Sequence, residues 1–239
     1  MTQSKSESRL RVGVIGAGPV GVGLAQALAG AGHLISGITS SSEASRELID
    51  ARLPGVEVLP VPELIAASDL VLVAIPENQI RASVEGWAKL GLFKAGQLVI
   101  HTAAEHGTDV LIAAARAGAI PLAIHPAMRF TGTSLDVPRI RESYFAVTAP
   151  AVAVPIGQAL TLEMGAEPIV VSEANRAKYA EAVSVASAFS ALVVNQAIGI
   201  LGEIEITSAR ELLGPLIRSS VEHALADGYH DIQPEDLEG

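Results

Sequence analysis

Over its first two-thirds the chain alternates short apolar runs with segments of helical period. Runs at 10–16, 34–39, 56–59, 69–75, 97–101, 120–124, 144–148 and 168–171 predict strands. Between most of them, residues 19–31, 42–52, 62–67, 77–89, 107–117 and 151–164 predict helices. Gly32, Pro54, Gly55, Pro62, Gly96, Gly118 and Gly165 punctuate the joints. Strand and helix in regular turn predict an α/β fold, a doubly wound parallel sheet with helices on both faces. The run from Leu70 to Ile75 is apolar throughout, as a central strand covered on both sides must be.

After Ser172 the pattern becomes helical only. Two helices are expected, at 173–204 and 208–226, the second interrupted or kinked at Pro215. The chain therefore divides into a domain of residues 1–172 and a small all-α domain of residues 173–239. Ala182 to Gly202 carries no charge and is long enough to span a bilayer. Ser184, Ser187, Ser190, Asn195 and Gln196 lie inside it, however, and Glu181 and Glu203 flank it where a membrane helix favours Lys or Arg. A helix apolar nearly all round is otherwise a buried one, and a central, partner-covered helix is the expectation, with no membrane partner. Two helices cannot bury such a surface by themselves. Ser184, Ala188, Ala191 and Asn195 recur on one face and would let helices approach closely. A homodimer through the C-terminal helices follows.

The residues between the first run and the first helix carry the most specific chemistry. Gly16, Gly18 and Gly21 fit G-x-G-x-x-G where a strand ends and a helix begins. Gly16 permits the tight turn, Gly18 lets the backbone approach a pyrophosphate, and Gly21 lets the helix pack close. Pro19 suits the first helical turn, Val20 lies within it, and the free N–H groups there hold phosphates. A dinucleotide cofactor is the expectation. NAD-selective sites close the second strand with an acid that bonds the ribose 2′-hydroxyl. Here that position reads Thr39, Ser40, Ser41, with Arg46 one turn on, so NADP is favoured and NAD is possible. Ser40 and Glu43 also fit a capping box for the next helix.

Charge and composition narrow the remaining classes. Of 239 residues 49% are hydrophobic and 18% charged, enough apolar surface for a sizeable core. A net charge of −10, without any basic run, excludes a nucleic-acid surface. Without cysteine there are no disulfides or thiolate metal sites, and neither an H-E-x-x-H pair nor a G-x-S-x-G elbow occurs. Met1 to Ser8 is a polar tail lacking an apolar signal core, and Gly228 to Gly239 an acidic one. Both are expected to be loose, and the protein cytoplasmic.

Ligands in such sheets bind beyond the carboxyl ends of the strands. Those ends offer Ile75 and Pro76, then His101 and Thr102, then His125 and Pro126. Ile75, Pro76 and Thr102 would meet the nicotinamide. His125 or His101 would donate a proton as hydride arrives, or else each shapes its strand end. Arg129 would grip a substrate carboxylate, or stand solvated.

The glycine loop, Ala74-Ile75-Pro76-Glu77, His101-Thr102 and above all the block from His125 to Thr133 resemble a family of Rossmann-like oxidoreductases. Its members carry a helical C-terminal domain of unknown function and are related to the 6-phosphogluconate dehydrogenase and ketopantoate reductase group. The similarity continues through Phe145 to Pro150, Glu163 to Pro168 and Leu212 to Leu216. It implies NAD(P) binding, dimerisation through the helices, and reductase or dehydrogenase activity on a small molecule. Ala103-Ala104, Ala180 and Ala188 depart from the hydroxyl and imidazole residues usual in the family, whose chains also run on past the point matching Gly239. Lys178, beside Tyr179, is then an alternative proton donor. The expected activity is NAD(P)-dependent reduction of a small carbonyl compound or 2-oxo acid, the alternative a catalytically silent dinucleotide sensor.

Overall fold

A computed structural model describes residues 9–228; the expectations for the two tails lie outside them. The strands are β1 Arg11–Ile15, β2 Leu34–Ile38, β3 Leu70–Val73, β4 Leu98–His101, β5 Ile120–Pro126, β6 Tyr144–Thr148 and β7 Glu167–Val170. They form one sheet in the order β2-β1-β3-β4-β5-β6-β7. All neighbours are parallel except β5 and β6, which pair antiparallel with Ala123 opposite Thr148 and His125 opposite Ala146. The expected doubly wound parallel sheet is present, with this one antiparallel pair near its far edge. The segment joining β5 to β6 holds a loop and one short helix, Asp136–Ile140, in place of a crossover helix that would return the chain to the same edge.

The helices of this part are α1 Pro19–Gly30, α2 Glu43–Arg52, α3 Val61–Ala67, α4 Glu77–Lys89, α5 Ile112–Arg116, α6 Asp136–Ile140 and α7 Val154–Glu163. They cover both faces, and the strands show why. Leu70 and Leu72 of β3 join the core beneath α1, while Val71 and Val73 join the core beneath α3 and α4. Strand alternation thus buries every residue of the Leu-Val-Leu-Val run. The same alternation puts His101 on the face of Val99, and His125 on the face opposite Leu122 and Ile124.

Three sequence expectations change. Residues 56–59 make a single bridge, Ile38 with Val58, because Pro54, Gly55, Pro60 and Pro62 leave no room for a ladder. The helix expected at 107–117 is a 3₁₀ turn, Thr108–Leu111, followed by α5. The capping box uses Ser42 and Ser45 in place of Ser40 and Glu43: the Ser45 amide donates to Ser42 Oγ and the Ser42 amide to Ser45 Oγ.

The described chain forms two compact units, one ending at Glu181 and one beginning at Ala182. The boundary falls within α8, Arg176–Ser184. The second unit continues through a π-helical segment, Val185–Phe189, into α9, Ser190–Glu203, and then α10, Ala209–Asp227, which runs through Pro215. The helical stretch Glu173–Glu203 is long and apolar enough to cross a membrane, and none of its most apolar window is buried. Phe189, Leu192, Val193 and Ile200 are all more than half exposed, so the described residues of this chain do not themselves cover that helix.

Candidate active site

The glycine loop links β1 to α1. Gly16 has φ +108°, and a Cβ there would meet the carbonyl oxygen of Ala74 at 2.3 Å. A Cβ on Gly21 would meet the carbonyl oxygen of Gly16 at 2.0 Å. Both glycines are therefore needed by the turn itself. Gly18 is different: nothing lies within 4 Å of an added Cβ, so its backbone faces open space. α1 starts on Gly18 with Pro19 next, no side-chain cap and no acid in its first turn. Its amino end offers unpaired donors to an outside anion. Gly18 and Pro19 are exposed and Val20 half-buried.

Thr39, at the end of β2, turns toward this loop: its Oγ1 accepts the Gly16 amide at 2.9 Å. Beyond it Ser40, Ser41, Ser42, Glu43 and Arg46 line an open cleft of about 460 Å³. Ser40 Oγ lies 2.5 Å from Ser45 Oγ, and Ser41 is exposed. The cleft presents hydroxyls, the guanidinium of Arg46 and the carboxylate of Glu43. These residues and the open glycine cradle fit a dinucleotide carrying either a hydroxyl or a phosphate at the 2′ position.

Ile15, Val73, His101 and Ala123 stand in one row across the sheet. Three strand spacings, about 14 Å, separate the glycine loop from β5 along that edge. Ile75 is partly buried, Pro76 caps α4, and Thr102 is half-buried between them and β5. His101 is fully buried. Its Nδ1 accepts the Ala103 amide at 3.1 Å, and Nε2–H donates to the Gly107 carbonyl at 2.6 Å. Burial holds its pKa down to about 4, against the pull of that carbonyl.

His125 is partly buried, with Nδ1 2.8 Å from the Tyr179 hydroxyl and the rings edge-to-face at 5.6 Å. Burial first, then the nearby Arg176, holds its pKa down to about 4. Burial raises the Tyr179 phenol, and Arg176 works against that rise. Arg176 is 1% exposed. Its Nε donates to Thr148 Oγ1 at 2.7 Å, and one Nη donates to the carbonyls of Ala123 at 2.8 Å and Ala146 at 3.0 Å. Its Cζ lies 5.8 Å from the centre of the Tyr179 ring. Lys178 points elsewhere: it is exposed and paired with Glu181 at 2.7 Å.

Arg129 is exposed, on a loop the fold holds firmly. Buried Asp136 accepts the Thr131 and Gly132 amides and the Thr131 hydroxyl, all within 3.1 Å. Phe130 fills the space where a Cβ on Gly23 would stand, 2.7 Å away. The structure thus gathers His101, His125 and Thr102 at adjoining strand ends and keeps Lys178 outside that cluster. Sequence reasoning passed over Tyr179 and Arg176 as functional groups. The available signal was spacing: residues three apart share a helix face, and Lys178 does not lie on it. Among the described residues no cluster of three or more His, Asp or Glu is placed to hold a metal ion.

Comparison with known proteins bears on the fold. Residues 143–234 match a domain of unknown function, DUF2520. A 94-residue stretch is 36% identical to L-aspartate dehydrogenase of Bradyrhizobium diazoefficiens, spanning 38% of this chain and 33% of that protein. The match covers only about a third of that relative's length. A Bacteroides fragilis protein assigned as an NADP oxidoreductase superposes with a TM-score of 0.72 at 18% identity, over 90% of this chain and 80% of that one. The 1-pyrroline-5-carboxylate reductase of Streptococcus pyogenes superposes with a TM-score of 0.68 at 18% identity, over 96% and 83%. At such identities the likeness is one of fold, that of NAD(P)-dependent reductases. Residues 2–126, the greater part of the chain, match the Rossmann-like domain, and the chain belongs to that family.

Proposed function

We propose that this chain is a cytoplasmic NAD(P)-dependent reductase of small molecules bearing a C=N or C=O group next to a carboxylate. The His125–Tyr179 contact carries the reading: it places a phenol at the strand edge that begins at the glycine loop. The amino end of α1 and the backbone at Gly18 would hold the pyrophosphate, and the cleft from Ser40 to Arg46 the adenosine ribose. Its hydroxyls and guanidinium, with no acid closing β2, support a preference for NADP. Ile75, Pro76 and Thr102 would flank the nicotinamide, which supplies hydride when bound. Kinship with the 6-phosphogluconate dehydrogenase and ketopantoate reductase group belongs to the same proposal.

Tyr179 is assigned as the proton donor. His101 and His125 are neutral near pH 7 and hold little of the proton an acid must give. His101 instead has both nitrogens engaged by its own chain. His125 orients the phenol: with Nδ1 protonated it donates to the Tyr179 oxygen and leaves the phenolic proton free for substrate. Arg129 anchors the carboxylate on its pinned loop. Both the S. pyogenes reductase and the aspartate dehydrogenase act, by name, on small carboxylates, which supports this substrate class.

The test has two steps. Saturating NADPH, at about one hundred times its dissociation constant, adds about 2.7 kcal/mol of stability. That raises the melting temperature by about 5–10 °C, more than NADH at equal concentration does. Turnover with 1-pyrroline-5-carboxylate, other cyclic imino acids and 2-oxo acids with ammonia then identifies the substrate class. No shift with any nicotinamide dinucleotide overturns the reading. A shift without turnover on any of these substrates favours the silent sensor, to which Ala103 and Ala104 in place of the usual hydroxyl residue also point.

A further inference from the structure

Arg176 is a buried cation without a salt-bridge partner; the carboxylate of Glu173 acts on it only at longer range. Among the described residues no carboxylate lies within 4.0 Å of it, and its second terminal nitrogen, Nη1, is buried without any hydrogen-bond partner. Its three hydrogen bonds go to neutral oxygens of Thr148, Ala123 and Ala146. A buried guanidinium is costly unless an anion compensates it. The group it lies closest to in charge terms is a phenol, which is neutral at rest and negative only after it has given up a proton.

We propose that Arg176 is the cation that takes up the charge left on Tyr179 when its phenol gives a proton to substrate. The inference rests on the reductase reading above. In the step, the O–H bond of Tyr179 breaks and an N–H or O–H bond forms on the substrate atom, whose carbon receives two electrons with the hydride of the reduced nicotinamide. The phenolate then accepts a hydrogen bond from His125 Nδ1–H and faces the guanidinium, until water returns the proton. Arg176 is a positioning residue as well: its bonds to β5 and β6 fix the start of α8, and Tyr179 follows one turn later against His125.

Other groups around the pair do not supply this charge. His101 from β4 and His125 from β5 are neutral near pH 7. Glu173 carries the opposite sign, and its carboxylate accepts the Thr108 and Asp109 amides. Lys178 and Glu181, on the same helix, pair with each other in solvent.

The test is direct titration of the phenol. The chain has three tyrosines, and Y144F with Y229F leaves Tyr179 as the only reporter. In that background, phenolate absorbance is followed against pH with circular dichroism as a check on folding. Removing the cation with Arg176→Met raises the ionisation midpoint of Tyr179 by about one to three pH units. Arg176→Lys restores part of the shift, and Thr148→Val, which keeps the charge, leaves the midpoint in place. Arg176→Gln serves where the methionine variant does not fold. An unchanged midpoint in a folded neutral variant overturns the proposal, as does failure of every neutral variant to fold. With NADPH and a turned-over imino acid, Arg176→Gln lowers kcat about tenfold or more, moves KM little, and carries the alkaline limb of the kcat profile upward with the midpoint. A purely structural arginine would lower the melting temperature and leave that limb alone. Absence of turnover by the natural chain strikes the reductase reading and leaves the titration result standing.

Discussion

Gly18 and Gly21 lie three residues apart and should respond oppositely to the same added methyl. Gly18 has extended backbone, φ −80° and ψ 176°, and open space where a Cβ would sit. Gly18→Ala should keep stability within about 0.5 kcal/mol and weaken NADPH binding at least about tenfold, because the methyl enters the space proposed for phosphate. Gly21→Ala drives its methyl into a backbone carbonyl that cannot move alone. It should cost about 1–3 kcal/mol by denaturant titration, whatever the cofactor does. The histidines make a pH prediction. Both are held to about 4 in the folded protein, against about 6.5 when unfolded. Between these values the unfolded chain binds more protons, so their contribution is complete above pH 6.5 and is lost as pH falls toward 4. The pair should account for a few kcal/mol of that loss. His125→Asn, compared with the natural chain at pH 7 and pH 4.5, should show the smaller drop; equal drops would mean His125 protonates freely in the fold.

At the scale of elements, the 3₁₀ turn Glu173–Asn175 and the start of α8 together act as a clamp. Glu173, Arg176 and Tyr179 recur every third residue and each meets a different part of the sheet edge. Glu173 accepts the Thr108 and Asp109 amides beside Gly107, where a Cβ would collide with its carboxylate at 2.2 Å. Gly107 in turn accepts from His101. Arg176 holds β5 and β6, and Tyr179 meets His125. The second device is Asp136, at the first position of α6, whose carboxylate closes the loop bearing Arg129. Asp136→Ala leaves the Thr131 and Gly132 amides without their acceptor and should cost about 2–4 kcal/mol. If the loop positions Arg129 for substrate, KM should rise in the same variant; a stable, unaltered D136A protein would refute the role given to this carboxylate.

For the molecule as a whole, the second unit poses a question of company. Phe189, Leu192, Val193, Ile200, Leu212 and Leu216 are each more than half exposed on helices from Ala182 onward. Apolar surface of this extent marks an interaction face. A second copy of the chain is the partner proposed, through the small-residue stripe Ser184, Ala188, Ala191 and Asn195. Sedimentation should then give about twice the 24.6 kDa of one chain. Leu192→Glu with Val193→Glu should yield monomers; a natural chain that sediments as a monomer at micromolar concentration refutes the dimer.

The order of layers was legible because it rests on local physics. Alternating apolar periods, glycines at strand ends and prolines at joints constrain neighbours along the chain, and residues 10–31 reveal strand, turn and helix to the residue pair. The same locality explains the failures. Residues 56–59 look like a strand, yet pairing depends on what stands beside them. The reversal of β6 depends on where a returning segment packs. The charge-bearing cluster was least legible of all. His125, Tyr179 and Arg176 are up to 54 positions apart, and only the folded sheet edge brings an imidazole, a phenol and a buried cation within reach of one another. Sequence proclaims which residues are able to ionise; burial and neighbours, which exist only in three dimensions, settle which of them hold a proton and which keep a charge.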